Sequence, residues 1–300
     1  PDWKMNLDLA DAAMRRLGET EDSIEDVTMH FEALVKDVTF KKEKPDFALS
    51  FRMPSARVTD MQTFNAYLPP DATIRFKGGE ADLSADILLQ SNDADGFVKL
   101  DSEALISLDG DQDLQADLGV DIQISGGKPA NMEFEFDGSK IVLDDVVVIG
   151  SEEDYENAEW SAVLELTQAD AVFLNPLSMQ LEARLTASDS RPIVALFRNQ
   201  DGWRPEFLAQ ALIVAEITGD ASMTMENNLI LIPEAWLASD NIQAGMKAEI
   251  GGEEGNNGRI YLQYKKLDAV LNILNGDRNL DIIRAREKYD EYEVRPPASQ

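Results

Sequence analysis

Between Asp113 and Ser125 polar and apolar residues alternate without a break. Leu114, Ala116, Leu118, Val120, Ile122 and Ile124 share one parity, and Asp113, Gln115, Asp117, Asp121 and Gln123 share the other. A period of two puts successive side chains on opposite faces of a β-strand. At about 3.3 Å per residue, a dozen residues make a strand of roughly 40 Å, twice the common length. The pattern recurs along most of the chain. Trp3 to Leu9, Val27 to Ala33 and Phe47 to Met53 alternate in the same way, the last run ended by Pro54. Ala81, Leu83, Ala85, Ile87 and Leu89 follow, then Val98, Leu100, Ala104, Ile106 and Leu108. Beyond the opening stretch come Met132, Phe134 and Phe136, then Trp160 to Leu166, Met179 to Ala187 and Ile242 to Ile250. Ile260, Leu262 and Tyr264 form the last clear strand.

The connections between these runs are short and rich in Gly, Asn and Asp, as at Asn92–Gly96, Asp109–Asp111 and Ser125–Pro129. Such residues supply the positive-φ positions of tight hairpins, and strands joined that way pair antiparallel. The fold expected is mainly β: a long antiparallel meander sheet curved into an open groove or half-barrel, with a few short helices near the ends. The alternative is a closed β-sandwich. Short helices are expected at Asp11 to Leu17, Pro192 to Arg198, Pro205 to Val214 and Leu280 to Tyr292, the last from opposite charges three to four apart. No linker or low-complexity tract divides the chain. The expectation is one mainly-β domain over 1–300: strands and a short helix in 1–60, and the meander over 61–267 with a helical insertion near 190–215. A C-terminal helix and loose tail fill 268–300.

Composition narrows the function. The chain has 300 residues and a formal charge of -30. That charge argues against nucleic acid, which demands a basic face, and against docking on an anionic bilayer. There is no cysteine, hence no disulfide scaffold and no thiolate metal site. No run of apolar residues is long enough to span a membrane as a helix. A first residue of Pro suggests a processed chain or an excised fragment, with any membrane anchor missing from it.

Catalytic and metal chemistry find little support. The single histidine, His30, falls on the polar face of its strand, so a Ser-His-Asp arrangement would rest on it alone. Asp109-Gly-Asp-Gln-Asp113 opens like a calcium loop but has Leu114 at the sixth position and Val120 at the twelfth, so the EF-hand pattern fails. No Gly-rich phosphate loop is expected, because Gly78-Gly79 and Gly251-Gly252 read as lying between strands rather than ahead of a helix. Among so many carboxylates, a glycosidase pair cannot be told from an acidic surface. The expectation is a non-enzymatic protein with no catalytic residue, no cofactor and no metal.

What remains is the apolar face. Filled by a second sheet it would be a sandwich core. Left partly open it would hold acyl chains. The strands are long, the lining is Ala, Val, Leu and Ile with few aromatics, and few elements are left to cover it. The candidate lining is Leu83, Ala85, Ile87, Leu89, Val98, Leu100, Leu114, Ala116, Leu118, Val120, Ile122, Phe134, Leu164, Leu181, Ala183 and Leu185. An outer-membrane barrel ranks last, because its interior would be strongly acidic and the aromatic girdles are missing.

Several stretches carry a family likeness. They are Leu68-Pro-Pro-Asp-Ala-Thr-Ile-Arg-Phe-Lys-Gly-Gly-Glu-Ala-Asp-Leu-Ser-Ala-Asp-Ile87, Gly96-Phe-Val-Lys-Leu100, Asp189-Ser-Arg-Pro-Ile-Val-Ala-Leu-Phe197 and Gly258-Arg-Ile-Tyr-Leu-Gln-Tyr-Lys-Lys-Leu-Asp-Ala-Val-Leu271. Over roughly Phe64 to Tyr292 the chain resembles the AsmA-like family of Gram-negative bacteria, bridge-like lipid transfer proteins of the TamB/YhdP type, and would be a C-terminal portion of such a protein. The resemblance implies a periplasmic location in the cell envelope, with an inner-membrane anchor in the full-length protein. It also implies phospholipid or another acyl lipid as partner, envelope membrane proteins as further partners, and a part in outer-membrane lipid homeostasis. It carries over no catalytic residue.

Overall fold

A computed structural model describes residues 2–15, 23–36, 46–66, 68, 74–108, 112–149, 160–174, 177–190, 215–226, 229–251, 256–275 and 277–294. Seventeen strands account for most of them, and the pairings within each unit are antiparallel. The mainly-β meander expected from the alternation is the fold. The chain divides into two compact units, 1–161 and 162–300.

In the first unit β1 (Trp3–Met14), β2 (Ile24–Lys36), β3 (Asp46–Val58), β4 (Ile74–Gln90), β5 (Asp93–Leu108) and β6 (Gln112–Ile124) pair in sequence. The chain then leaves the ladder for a small hairpin, β7 (Gly126–Lys128) and β8 (Glu133–Glu135), joined by a 3-10 turn over Pro129–Asn131. It returns as β9 (Lys140–Ile149), which pairs with β6. A 3-10 helix, η1 (Met61–Ala66), links β3 to β4. In the second unit β10 (Ser161–Val172), β11 (Ser178–Asp189), β12 (Ala215–Glu226), β13 (Leu229–Ala238), β14 (Ile242–Ile250), β15 (Asn257–Tyr264), β16 (Leu267–Leu274) and β17 (Asp277–Asp281) form a strict meander. Helix α1 (Ala285–Asp290) closes it.

Several expectations are corrected. Asp11 to Met14 extend β1 instead of opening a helix. Asp11 takes φ 50° at a bulge, Ala12 pairs with Val27, and Val27 is fully buried, so cross-strand packing outweighs the helix propensity of the Ala-rich run. Residues 16 and 17 lie outside the described residues. Pro54 does not end β3. It sits in a bulge between Met53 and Ala56, where the missing N–H costs no ladder bond, and pairing resumes through Val58 and Ala81. Two strands, β16 and β17, follow Tyr264 in the first part of the stretch where the C-terminal helix was expected, and the loose tail falls in 295–300, outside the described residues. Leu280 pairs with Leu271 in the β16–β17 hairpin, and helix α1 begins only at Ala285, after Arg284 at φ 52°. The helices expected at 192–198 and 205–214, and with them the insertion near 190–215, fall in 191–214, outside the described residues.

Bulges carry much of the shape of each ladder. Asp11, Asp26 and Asp145 adopt positive φ within strands, at or beside the register shifts of β1, β2 and β9. Aspartate tolerates the left-handed region better than most residues, and an extra residue there bends and twists the strand.

Candidate functional site

The pairing registers turn each strand's alternation into rows that run across the sheet. In the second unit one row joins Leu166, Ala183, Ala221, Ala235, Met246, Ile260, Leu271 and Leu280, one residue from each of eight consecutive strands. A parallel row joins Leu164, Leu185, Gly219, Leu237, Ala244, Leu262 and Ala269. In the first unit Leu7, Phe31, Phe51, Ile87, Gly96 and Ile124 align, and beside them Met53, Ala85, Val98 and Ile122. Leu83, Leu100 and Val120 line up with Ile141.

Of the residues expected to line the groove, the first unit brings Leu83, Ala85, Ile87, Leu89, Val98, Leu100, Leu114, Ala116, Leu118, Val120 and Ile122 onto one face. The second unit brings Leu164, Leu181, Ala183 and Leu185 onto one face of its own ladder. Phe134 stands apart. It lies in β8, opposite Gly127, with its ring 6.4 Å from that of Phe136, in the hairpin that leaves the ladder. The strands β12 to β17 extend the apolar face of the second unit well beyond the residues first singled out. The register of β13 shifts against both neighbours, between Ser222 and Thr224 of β12 and between its own Ile232 and Ala235, and that irregularity hid the continuity.

The face is uneven in cover. Small side chains are buried among larger neighbours: Ala85 is 3% exposed and Ala116 is 2%. The large ones mostly are not. Leu49, Phe51, Ile87, Leu89, Val98, Leu100 and Ile122 are half-buried, and Trp3, Leu7, Ile260 and Leu262 are exposed. In a sandwich, central inward-facing side chains of this size would be sealed by the opposite sheet. One margin is sealed. Val58, Met61, Ala81, Ala104, Ile106 and Leu118 form a buried cluster with Phe64 packed against it, and Met61 and Phe64 come from η1.

The opposite face is polar and heavily charged. Ion pairs cross it between neighbouring strands: Lys4–Glu32, Arg52–Asp86, Lys99–Asp121 and Arg184–Asp220 at 2.8–3.2 Å, and Arg57–Glu80. The Lys77 ammonium donates to the Asp113 carboxylate at 2.9 Å and holds that carboxyl below its ordinary range. The positive charges are too few to balance the rest. Glu80, Glu103, Asp117 and Asp144 stand directly opposite one another across β4, β5, β6 and β9. With Asp82 and Asp101, and with the cations Arg57, Lys99 and Lys140, they line a concavity of about 1100 Å³ in the first unit.

In the second unit the polar face carries helix α1. Tyr289 and Ala285 are buried against Tyr261 and Val270, and the Trp236 ring meets Tyr289 edge-on at 5.3 Å. The Arg286 guanidinium lies 4.8 Å from the Trp236 ring centre, and the Lys247 ammonium donates to the Tyr292 carbonyl at 3.0 Å. Burial pushes the Tyr289 hydroxyl up to about 12, with the nearby Glu234 charge adding to it.

Chemistry beyond contact is sparse among the described residues. His30 is exposed and paired with Asp8 across β1 and β2. Among the described residues, no group of three or more His, Asp or Glu side chains is placed to hold a metal ion. No helix among the described residues is long and apolar enough to cross a membrane. No protein-family model, no curated protein and no solved structure matches this chain.

Proposed function

We propose that this chain is a non-enzymatic lipid-binding or lipid-transport protein, or a segment of one, which holds the acyl chains of phospholipid on the uncovered apolar face of its sheets. In this reading it works in the periplasm of a Gram-negative cell envelope, contributes to outer-membrane lipid homeostasis, and is anchored to the inner membrane in its full-length form. The observation that carries the proposal is the set of apolar rows. They cross every strand of the second unit and most of the first, and their large side chains stay half-buried or exposed. Uncovered apolar surface of that extent marks a binding face.

The energetics suit a carrier. A fully buried methylene gains about 0.8 kcal/mol, so a sixteen-carbon chain lying flat with half its surface covered gains roughly 6 kcal/mol. That binds a lipid without trapping it. Rows of Leu, Ile, Val and Ala offer nothing that discriminates along the chain, so an acyl group can shift from row to row. The acidic opposite face keeps the protein in solution and repels anionic bilayer surfaces.

Native mass spectrometry of the protein purified from a Gram-negative host tests the proposal. Adducts with phospholipid masses that vanish on delipidation and return on incubation with vesicles are expected. A lipid-free protein that takes up no phospholipid or fatty acid from vesicles would overturn it.

A further inference from the structure

Helix η1 lies on the apolar face itself. Strand β4 runs well past its neighbour: pairing with β3 ends at Val58 and Ala81, while pairing with β5 continues to Ile74. On the β3 side this leaves the start of β4 without a strand, and η1 takes that place with side chains. The Phe76 N–H donates to Asn65 Oδ1 at 2.8 Å, and Asn65 Nδ2 donates to the Phe76 carbonyl at 2.7 Å. Gln62 Nε2 donates to the Lys77 carbonyl at 2.8 Å, and Asp60 caps the Gln62 N–H at 2.8 Å. So tethered, η1 turns Met61 and Phe64 down onto Val58, Ala81, Ile106 and Leu118, with Met61 only 1% exposed.

Resting on the lipid-binding reading above, we propose that η1 is a lid over one margin of the apolar face, latched by Asn65. Met61 and Phe64 occupy the space an acyl chain would fill there, so lipid in the first unit is confined to the rows that η1 leaves uncovered, such as the one through Phe51, Ile87 and Ile124. The latch is polar and reversible. Its loss leaves the Phe76 N–H and carbonyl to water instead of Asn65, and opens the cluster beneath. The lid therefore sets the width of the track and is the element whose opening would widen it.

The chain has no cysteine, so single-cysteine variants report cleanly. Leu118→Cys, beneath the lid, and Ile124→Cys, beyond it, lie six residues apart on β6, roughly 20 Å at strand rise. Each is labelled with bimane and titrated with a doxyl-stearic acid quencher. Quenching several-fold stronger at position 124 than at position 118 is expected, and Asn65→Ala should raise quenching at position 118 toward that at 124. Equal quenching at both positions, or no effect of Asn65→Ala, would overturn the lid while leaving the lipid reading in place. Quenching at neither position removes the lipid reading, and the lid with it. Hydrogen exchange of the Phe76 amide in the unlabelled protein gives an independent readout should the Leu118→Cys chain fold poorly. Exchange should accelerate several-fold in Asn65→Ala, and an unchanged rate counts against the latch.

Discussion

Gly245 lies directly beneath Tyr289. A Cβ added at Gly245 would stand 2.8 Å from the Tyr289 hydroxyl and 2.9 Å from two carbons of the Trp236 ring. Gly245 is in the middle of β14, on the polar face, and its backbone does not need glycine. What needs glycine is the space that Tyr289 occupies when α1 docks.

Gly245→Ala should therefore displace α1 or push Trp236 aside, at a cost of about 1–3 kcal/mol from overpacking. Urea unfolding of the variant measures it. Gly78→Ala is the control, because an added Cβ there meets nothing within 4 Å, and its effect should stay within about 0.5 kcal/mol. Equal destabilisation by both would mean that strand propensity matters here and the docked tyrosine does not.

The same tyrosine makes stability depend on alkaline pH. Its hydroxyl is buried with no hydrogen-bond partner among the described residues, and its pKa in the folded chain is raised to about 12 from 10.0. The folded state thus keeps the proton longer than the unfolded one. The contribution is fully present below pH 10 and is lost as pH rises toward 12. Tyr289→Phe should flatten the fall in stability over that window and cost nothing at pH 7, since no bond is lost. Melting temperatures from pH 8 to 11.5 decide it. A parallel fall in both proteins would put the alkaline sensitivity elsewhere.

Two aspartate substitutions on β6 separate the sealed margin from the open face. Leu118 is 8% exposed beneath η1, so Leu118→Asp buries an unpaired carboxylate and should cost on the order of 4 kcal/mol. Ile122, two positions further along the same parity, is half-buried on the open rows. Ile122→Asp can reach water and should cost roughly 1–2 kcal/mol. It should nonetheless abolish much of the phospholipid uptake. Thermal melts paired with a vesicle-uptake assay give both readings. Severe unfolding by both variants would show the whole face to be closed core.

The carboxylate row on the polar face stores repulsion. Glu103 faces Glu80 on one side and Asp117 on the other. Glu103→Lys turns two repulsive cross-strand pairs into attractive ones and should stabilise the first unit by about 0.5–1 kcal/mol. The gain should shrink at 1 M salt, where the screening length falls to about 3 Å. A melting temperature that does not rise at low ionic strength would refute the repulsion.

The alternation itself determined most of the strands, their antiparallel order and the identity of the apolar face, because a period of two has one physical meaning when repeated over ten residues. Leu114 to Ile124 landed as the pattern required. The signal failed where a strand breaks its own parity. Met53 and Ala56 flank the bulge at Pro54 and are both buried, and no local rule says that the chain resumes pairing after it. It failed again in β16, where Val270 sits on the polar face yet is fully buried, covered by Tyr289 from a helix nineteen residues on. The tertiary structure alone decided which part of the apolar face is covered. Asn65 and Gln62 read as ordinary polar residues. Only the overhang of β4, set by where β3 stops pairing, gives them backbone groups to bind and lays Met61 on Leu118. Cover depends on contacts between residues far apart in the chain, and hydropathy records only which face would accept it.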